Sequence, residues 1–244
     1  MTLARTVSAE TLDHLAPDDP AARRSRRDLV RVHRAMGTRA IVAGGWQALV
    51  GPARAAAPLR ILELGAGDGT LLLGLARALA PRWPQVQLCL LDRQDIVAPA
   101  TLAGFAALGW QVRVQAIDVL AWAARPEATV PGTRWDLITT SLFLHHFDGA
   151  AFELLLGAAA ARCDRFFACE PRRSGLALAG SHLVGALGAN AVTREDAVRS
   201  VHAGFRGTEL DAHWPRAGGH WHTREGAAGL FSHCFSAWRS GTPR

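Results

Sequence analysis

The feature that most constrains this chain is a regular alternation of short apolar runs with longer Ala- and Leu-rich segments between residues 59 and 171. Residues 59–64, 86–91, 111–117, 135–141 and 164–169 read as buried strands. Residues 70–80, 98–108 and 150–161 read as helices between them. Each helix carries the chain back to the edge where the previous strand began, so the strands run parallel. The expected fold is α/β, a doubly wound, mostly parallel sheet with helices on both faces. In such sheets ligands bind beyond the carboxyl ends of the strands. Three acids fall at those ends: Asp92, Asp118 and Glu170.

The first strand runs into Gly65-Ala66-Gly67-Asp68-Gly69-Thr70. Glycines let a backbone bend sharply and let a ligand approach with no Cβ in the way. The helix that follows offers free N–H groups to the negative part of that ligand. The order is Gly-x-Gly-x-Gly, which differs from the Gly-x-Gly-x-x-Gly of dinucleotide enzymes.

At 244 residues, 49% hydrophobic and 20% charged, the chain has the material for one sizeable globular domain. The net charge of +6 comes from arginine alone, with no lysine and no tyrosine in the chain. Such a bias has a compositional explanation as good as a functional one. A basic balance permits a nucleic-acid partner without establishing it. Cys89, Cys163, Cys169 and Cys234 form no C-x-x-C pair and read as reduced thiols of a cytoplasmic protein. Residues 1–20 carry four acids and no apolar core, which is unlike a secretory signal, and no apolar run reaches membrane-spanning length.

Residues 1–54 are expected to form an N-terminal helical segment or cap: a loose leader over 1–20, then helices over 23–36 and 41–50. A linker over 54–58 leads into the main domain, residues 55–244. The arginines at 23, 24, 26 and 27 read as a solvated helix face. Beyond residue 171 the pattern predicts helices over 175–187 and 193–203, with Thr193 near the start of the second. Closing strands are predicted over 208–213 and 230–238, joined by the aromatic, Gly-rich stretch 214–229.

On the residues from Glu63 to Thr70, Asp92, Asp118, and the Leu144-His145-His146-Phe147 turn after the fourth strand, the chain resembles class I S-adenosylmethionine-dependent methyltransferases of the small-molecule type. The resemblance covers residues 55 to 172 well and the remainder in outline. It implies a Rossmann-like sheet of seven strands, a small helical lid inserted at about 172–207, and S-adenosyl-L-methionine as cofactor. By this resemblance Gly65, Ala66 and Gly67 would lie against the methionine part of the cofactor. Glu63 would support the turn or the ammonium group. Asp92 would accept from the ribose hydroxyls, with Arg93 beside it. Asp118 would accept from the adenine amino group between Ile117 and Val119, and Thr140 would complete the site.

A nicotinamide dehydrogenase is disfavoured by the glycine spacing and by the third acid. The stretch 139–143 lacks the Pro-Pro turn of base-amine methylases, which disfavours that class and leaves other RNA methylation open, although a nucleic-acid partner is not expected. The expected acceptor is a small organic metabolite, with oxygen of an aromatic or polyketide-like body first and carbon second. His145 and His146 are the candidate proton acceptors for that oxygen. Leu144, Asn190, His202 and Trp221 are the candidate acceptor-pocket residues. His213, His220 and His222 read as ordinary surface histidines, and no metal site is expected. Alternative readings are RNA methylation through the arginine-rich helix, or a protein that binds the cofactor without transferring methyl. Assembly as a homodimer is left open.

Overall fold

The computed structural model describes residues 3–51, 58–125, 134–216 and 219–242. Residues 54–57 of the expected linker lie outside the described residues. A seven-stranded sheet has the order β3-β2-β1-β4-β5-β7-β6. Its members are β1 (Leu59–Leu64), β2 (Val86–Asp92), β3 (Trp110–Ala116), β4 (Leu137–Ser141), β5 (Arg165–Pro171), β6 (Trp221–Ala228) and β7 (Ser232–Arg239). The first five pair in parallel, whereas β7 runs antiparallel to both β5 and β6. The order reverses between β1 and β4, and it is beside such a reversal that an open sheet leaves a crevice.

Both faces are covered, which explains the near-continuous apolar runs of β1, β2 and β5. One face packs against α2 (Thr38–Val50), α3 (Thr70–Leu79) and α4 (Pro99–Ala106) through Trp46, Leu75, Leu79 and Phe105. The other packs against α5 (Val119–Ala123), α6 (Gly149–Arg162) and α9 (Glu209–His213) through Trp122, Leu155, Phe152 and Leu210. Three elements gather over the carboxyl ends of the strands. They are α1 (Pro20–Met36), α7 (Gly175–His182) and α8 (Ala191–Ala203). Polar bonds join α1 to α8: Ser25 and Thr193 hydroxyls lie 2.8 Å apart, and the Asn190 backbone N–H donates to Asp28 at 2.7 Å.

Several expectations need correction. Residues 208–213 form a helix, not a strand. Glu225 accepts from the Leu210 and Asp211 N–H groups at the start of that turn, satisfying donors that a helix leaves free at its first turn. The strand beside β7 is instead β6, inside the stretch read as a connection. Its small residues Gly226, Ala227 and Ala228 masked the strand pattern. The cap of α8 is Asn190, whose Oδ1 accepts from the Thr193 N–H at 2.8 Å.

The leader is not loose. Thr6 N–H donates to the His202 carbonyl at 3.1 Å, and the N–H groups of Thr11 and Leu12 donate to Asp196 at 2.8 and 2.9 Å. Arg5 reaches the carbonyls of Ala203 and Phe147. These bonds are made with residues some 140 to 200 positions away, which no local pattern announces.

Candidate functional site

The strand ends, the leader, α1, α7 and α8 enclose a cavity of about 560 Å³. Part of its lining comes from the sheet: Glu63, Gly65, Ala66, Gly67, Asp92 and Arg93. The glycine turn is tight, with φ of +72°, +55° and +73° at Gly65, Gly67 and Gly69, values that favour glycine strongly. A Cβ on Gly65 would meet the Phe143 ring at 2.3 Å, whereas one on Gly67 would find nothing within 4 Å. Gly65 is therefore required by the protein's own packing. Gly67 leaves open space against the cavity.

Asp92 holds this turn in place. One carboxyl oxygen accepts from the Gly67 N–H at 2.8 Å and the other from the Gln94 N–H at 2.9 Å. Lone pairs remain on both oxygens for a ligand. Glu63 is buried in β1, and its Oε2 has no hydrogen-bond partner. Burial pushes its carboxyl up to about 8, reinforced by Glu170 and opposed by the nearby Ser141 and Thr139. A buried, unpartnered carboxyl oxygen on a cavity wall is a receptor for a cationic donor.

After β4 the chain makes a strained corner. Leu142 has φ +57°, unusual for a side-chain-bearing residue, and it lines the cavity. Glu170, fully buried at the end of β5, anchors this corner by accepting from the Phe143 and Leu144 N–H groups at 3.1 and 2.9 Å. Its Oε2 also lies 2.8 Å from His145 Nδ1. On the other side of that ring, Nε2 lies 3.3 Å from Glu10 Oε1, which also meets the Ser200 hydroxyl.

Burial alone would lower the His145 pKa, but the hydrogen bonds with Glu10 and Glu170 raise it to about 9. The same pair, opposing the burial cost at Glu10, holds the Glu10 carboxyl down at about 2. His145 is thus an imidazolium near neutrality, clasped between two acids. His146 is different: burial and the His145 charge hold its pKa below the ordinary value. Its Nδ1 lies 3.3 Å from Asp13. Ligand atoms of Glu10, His145 and His146 lie within 4.8 Å of one another, the spacing of a metal site, although no metal was expected here.

The remaining candidates fall elsewhere. Asp118 caps α5, accepting from the Leu120 and Ala121 N–H groups at 2.8 and 3.1 Å, and does not line the cavity. Ile117 and Val119 pack in the core beneath it, and Thr140 is buried in β4. Leu144 is a core residue. Asn190 caps α8 and bonds the Ala21 carbonyl at 2.9 Å. His202 uses its carbonyl to hold Thr6, and Trp221 packs edge-on against Trp214 beneath Arg239.

None of these last four lines the cavity. On α8 the lining residues are Thr193, Asp196, Ala197, Ser200 and Val201. These recur at the three- and four-residue spacing of one helix face, and that periodicity was the signal to follow. Leu29, Val30 and Val32 of α1, together with Leu183, Val184, Leu187 and Phe231, complete an apolar wall. Val30, Leu183 and Leu187 remain exposed at it. His213 pairs with Glu153 at 3.1 Å and His222 with Ser240 at 3.0 Å, apart from the cavity.

The fold is shared with solved methyltransferase structures. The plantazolicin methyltransferase BpumL, in complex with a triazolic desmethylPZN analog and SAH, superposes with a TM-score of 0.64 at 13% identity, over 91% of this chain and 92% of that one. An O-methyltransferase family protein from Burkholderia thailandensis gives 0.57 at 17% identity, over 93% and 62%. The N,N-8-amino-8-demethyl-D-riboflavin dimethyltransferase RosA from Streptomyces davawensis gives 0.58 at 17%, over 95% and 62%. This chain has the class I methyltransferase fold. No family model matches it, and no curated protein matches it. The likeness lies in the fold, and this chain spans about six-tenths of the length of the latter two neighbours. Within the methyltransferase fold the cavity lies beside the glycine turn. Among the described residues, no helix is long and apolar enough to cross a membrane.

Proposed function

We propose that this protein is an S-adenosylmethionine-dependent methyltransferase acting on a small, largely apolar acceptor, with oxygen as the methylated atom. The observation that carries the reading is one cavity lined both by the glycine turn with Glu63 and Asp92 and by the apolar wall of α1, α7 and α8. The residues fit the cofactor. The unpartnered Glu63 oxygen suits an ammonium group, the open face of Gly67 suits a close backbone approach, and Asp92 suits vicinal hydroxyls. Bound there, S-adenosylmethionine supplies a methyl group on a sulfonium, transferred by direct displacement to an acceptor lone pair.

The protein's part is to align the acceptor and exclude water. Leader, α1 and α8 do the excluding, and the domain division at about residue 54 is read in the same way, as a cap over the strand ends. Solved neighbours of the same fold act on small molecules by their descriptions, which supports the same class here. The largely aliphatic wall that α1, α7 and α8 give this cavity favours a small molecule over RNA.

Calorimetry with S-adenosylhomocysteine tests the reading. Micromolar binding by the intact protein, lost on Gly67→Val, is the expected result. Absence of binding would sink the cofactor assignment, and binding without methyl transfer to any apolar hydroxyl acceptor would leave a cofactor-binding module.

A further inference from the structure

Two side chains that can donate hydrogen bonds converge on a single oxygen inside the cavity, and that oxygen belongs to the protein. Glu10 Oε1 lies 3.3 Å from His145 Nε2 and within reach of the Ser200 hydroxyl, and all three residues line the cavity. The donors belong to the rigid frame. His145 is oriented from behind by the 2.8 Å contact of its Nδ1 with Glu170, and Ser200 sits on α8, where its single O–H can turn either to the Asp196 carbonyl at 2.9 Å or into the cavity toward Glu10.

Glu10 comes from the leader, whose backbone is fixed at Thr6 and again at Thr11 and Leu12. Its side chain alone can swing away, by rotation about its own bonds, without opening the leader. The same cavity carries the aliphatic side chains of Leu29, Val32, Val184 and Val201.

We propose that His145 Nε2 and Ser200 Oγ form the subsite for an ionised oxygen of the methyl acceptor, and that Glu10 occupies this subsite until the acceptor displaces it. The inference rests on the methyltransferase reading and narrows it. The acceptor is an oxygen acid, either a carboxylic acid or an acidic phenol, on an apolar body, and it binds already ionised. No proton is then transferred in the protein. The acceptor's anionic lone pair is the nucleophile, and His145 and Ser200 hold it as donors. This reverses the role expected from sequence, in which a histidine removes the proton. Glu10 keeps the pair of donors satisfied in the resting protein, which avoids a buried, unbalanced imidazolium.

The test uses the full-length protein and 4-nitrophenol, whose phenolate is read directly by its absorption. Benzoate serves as a competitor that reports a carboxylate. Glu10→Ala should bind 4-nitrophenolate about tenfold or more tightly than the wild type, because the internal competitor is gone. Adding His145→Gln to Glu10→Ala should return affinity to the wild-type level or below, and benzoate should displace the phenolate from Glu10→Ala. Should Glu10→Ala melt early, Glu10→Gln keeps the shape and replaces the carboxylate by a neutral, weaker competitor, so it should tighten binding in the same direction by a smaller factor.

Equal binding in wild type, Glu10→Ala and the double variant would overturn the proposal, as would uptake of only the neutral phenol. Retention of one Zn²⁺ per chain that depends on Glu10, His145 and His146 would also overturn it, since the metal would fill the same place. S-adenosylhomocysteine affinity, measured on the same samples, separates the two levels. Retained S-adenosylhomocysteine binding with no anion effect rejects the subsite alone, and loss of both in wild type rejects the methyltransferase reading.

Discussion

Replacing Glu63 by glutamine should remove a pH-dependent cost that the native protein carries. The Glu63 carboxyl rises from an ordinary 4.5 to about 8 because it is fully buried and its Oε2 has no partner. For a carboxyl raised in the folded state, the unfolded chain ionises first. Stability is therefore unaffected below about pH 4.5, falls as pH rises, and levels off above about pH 8. At pH 7 the unfolded chain has gained on the order of 3 kcal/mol by ionising this group that the folded chain has not. A glutamine of the same shape pays a constant cost for its buried amide, which does not vary with pH.

The difference in unfolding free energy, Glu63→Gln minus wild type, should thus grow by on the order of 3 kcal/mol between about pH 5 and 8. Urea denaturation at half-unit intervals measures it, and all other titrations cancel in the subtraction. A flat difference would refute the argument. The same proton gives a second reading. If an ammonium group binds beside Glu63, wild type at pH 7 should release about one proton per S-adenosylhomocysteine bound, seen by calorimetry in two buffers. Glu63→Gln should release none, and equal proton counts would refute the placement.

Asp92→Ala removes the acceptor for the Gly67 and Gln94 N–H groups. It should cost about 1–3 kcal/mol in stability and about 1.5–3 kcal/mol in S-adenosylhomocysteine affinity, read by melting and calorimetry. Gly65→Ala should destabilise by at least about 2 kcal/mol, from its +72° φ and the 2.3 Å approach to Phe143. Phe143→Leu in that background should recover only the steric share, measured by denaturant unfolding. His145→Gln should lose stability relative to wild type at pH 6. The His145 pKa is raised to about 9 in the folded state, so its contribution is whole below about 6.5, fades as pH rises from there to about 9, and is gone above that. A gap that persists at pH 10 would contradict that origin. Glu170→Ala, which frees the Phe143 and Leu144 N–H groups and unbalances His145, should cost about 3–5 kcal/mol, visible as a large drop in Tm.

What the sequence determined by itself was the sheet and the places where it ends. Buried parallel strands are largely apolar runs, so β1 to β5 are legible to within two residues at each end, and the acids Asp92 and Glu170 lie at the ends of β2 and β5. The glycine turn was legible because only glycine takes three positive φ values so closely spaced. Which polar residue meets which was not. Asn190 and His202 carry suggestive chemistry, yet helical phase turns Asp196, Ala197 and Ser200 to the cavity instead.

Glu10 carries no local signal at all, since its meaning depends on His145, 135 positions away. The tertiary structure alone decided the charge of that histidine, because a pKa is set by the groups packed around a side chain. Sequence can place a histidine at a strand end. Only the fold puts one acid on each side of its ring, and those two acids raise its pKa.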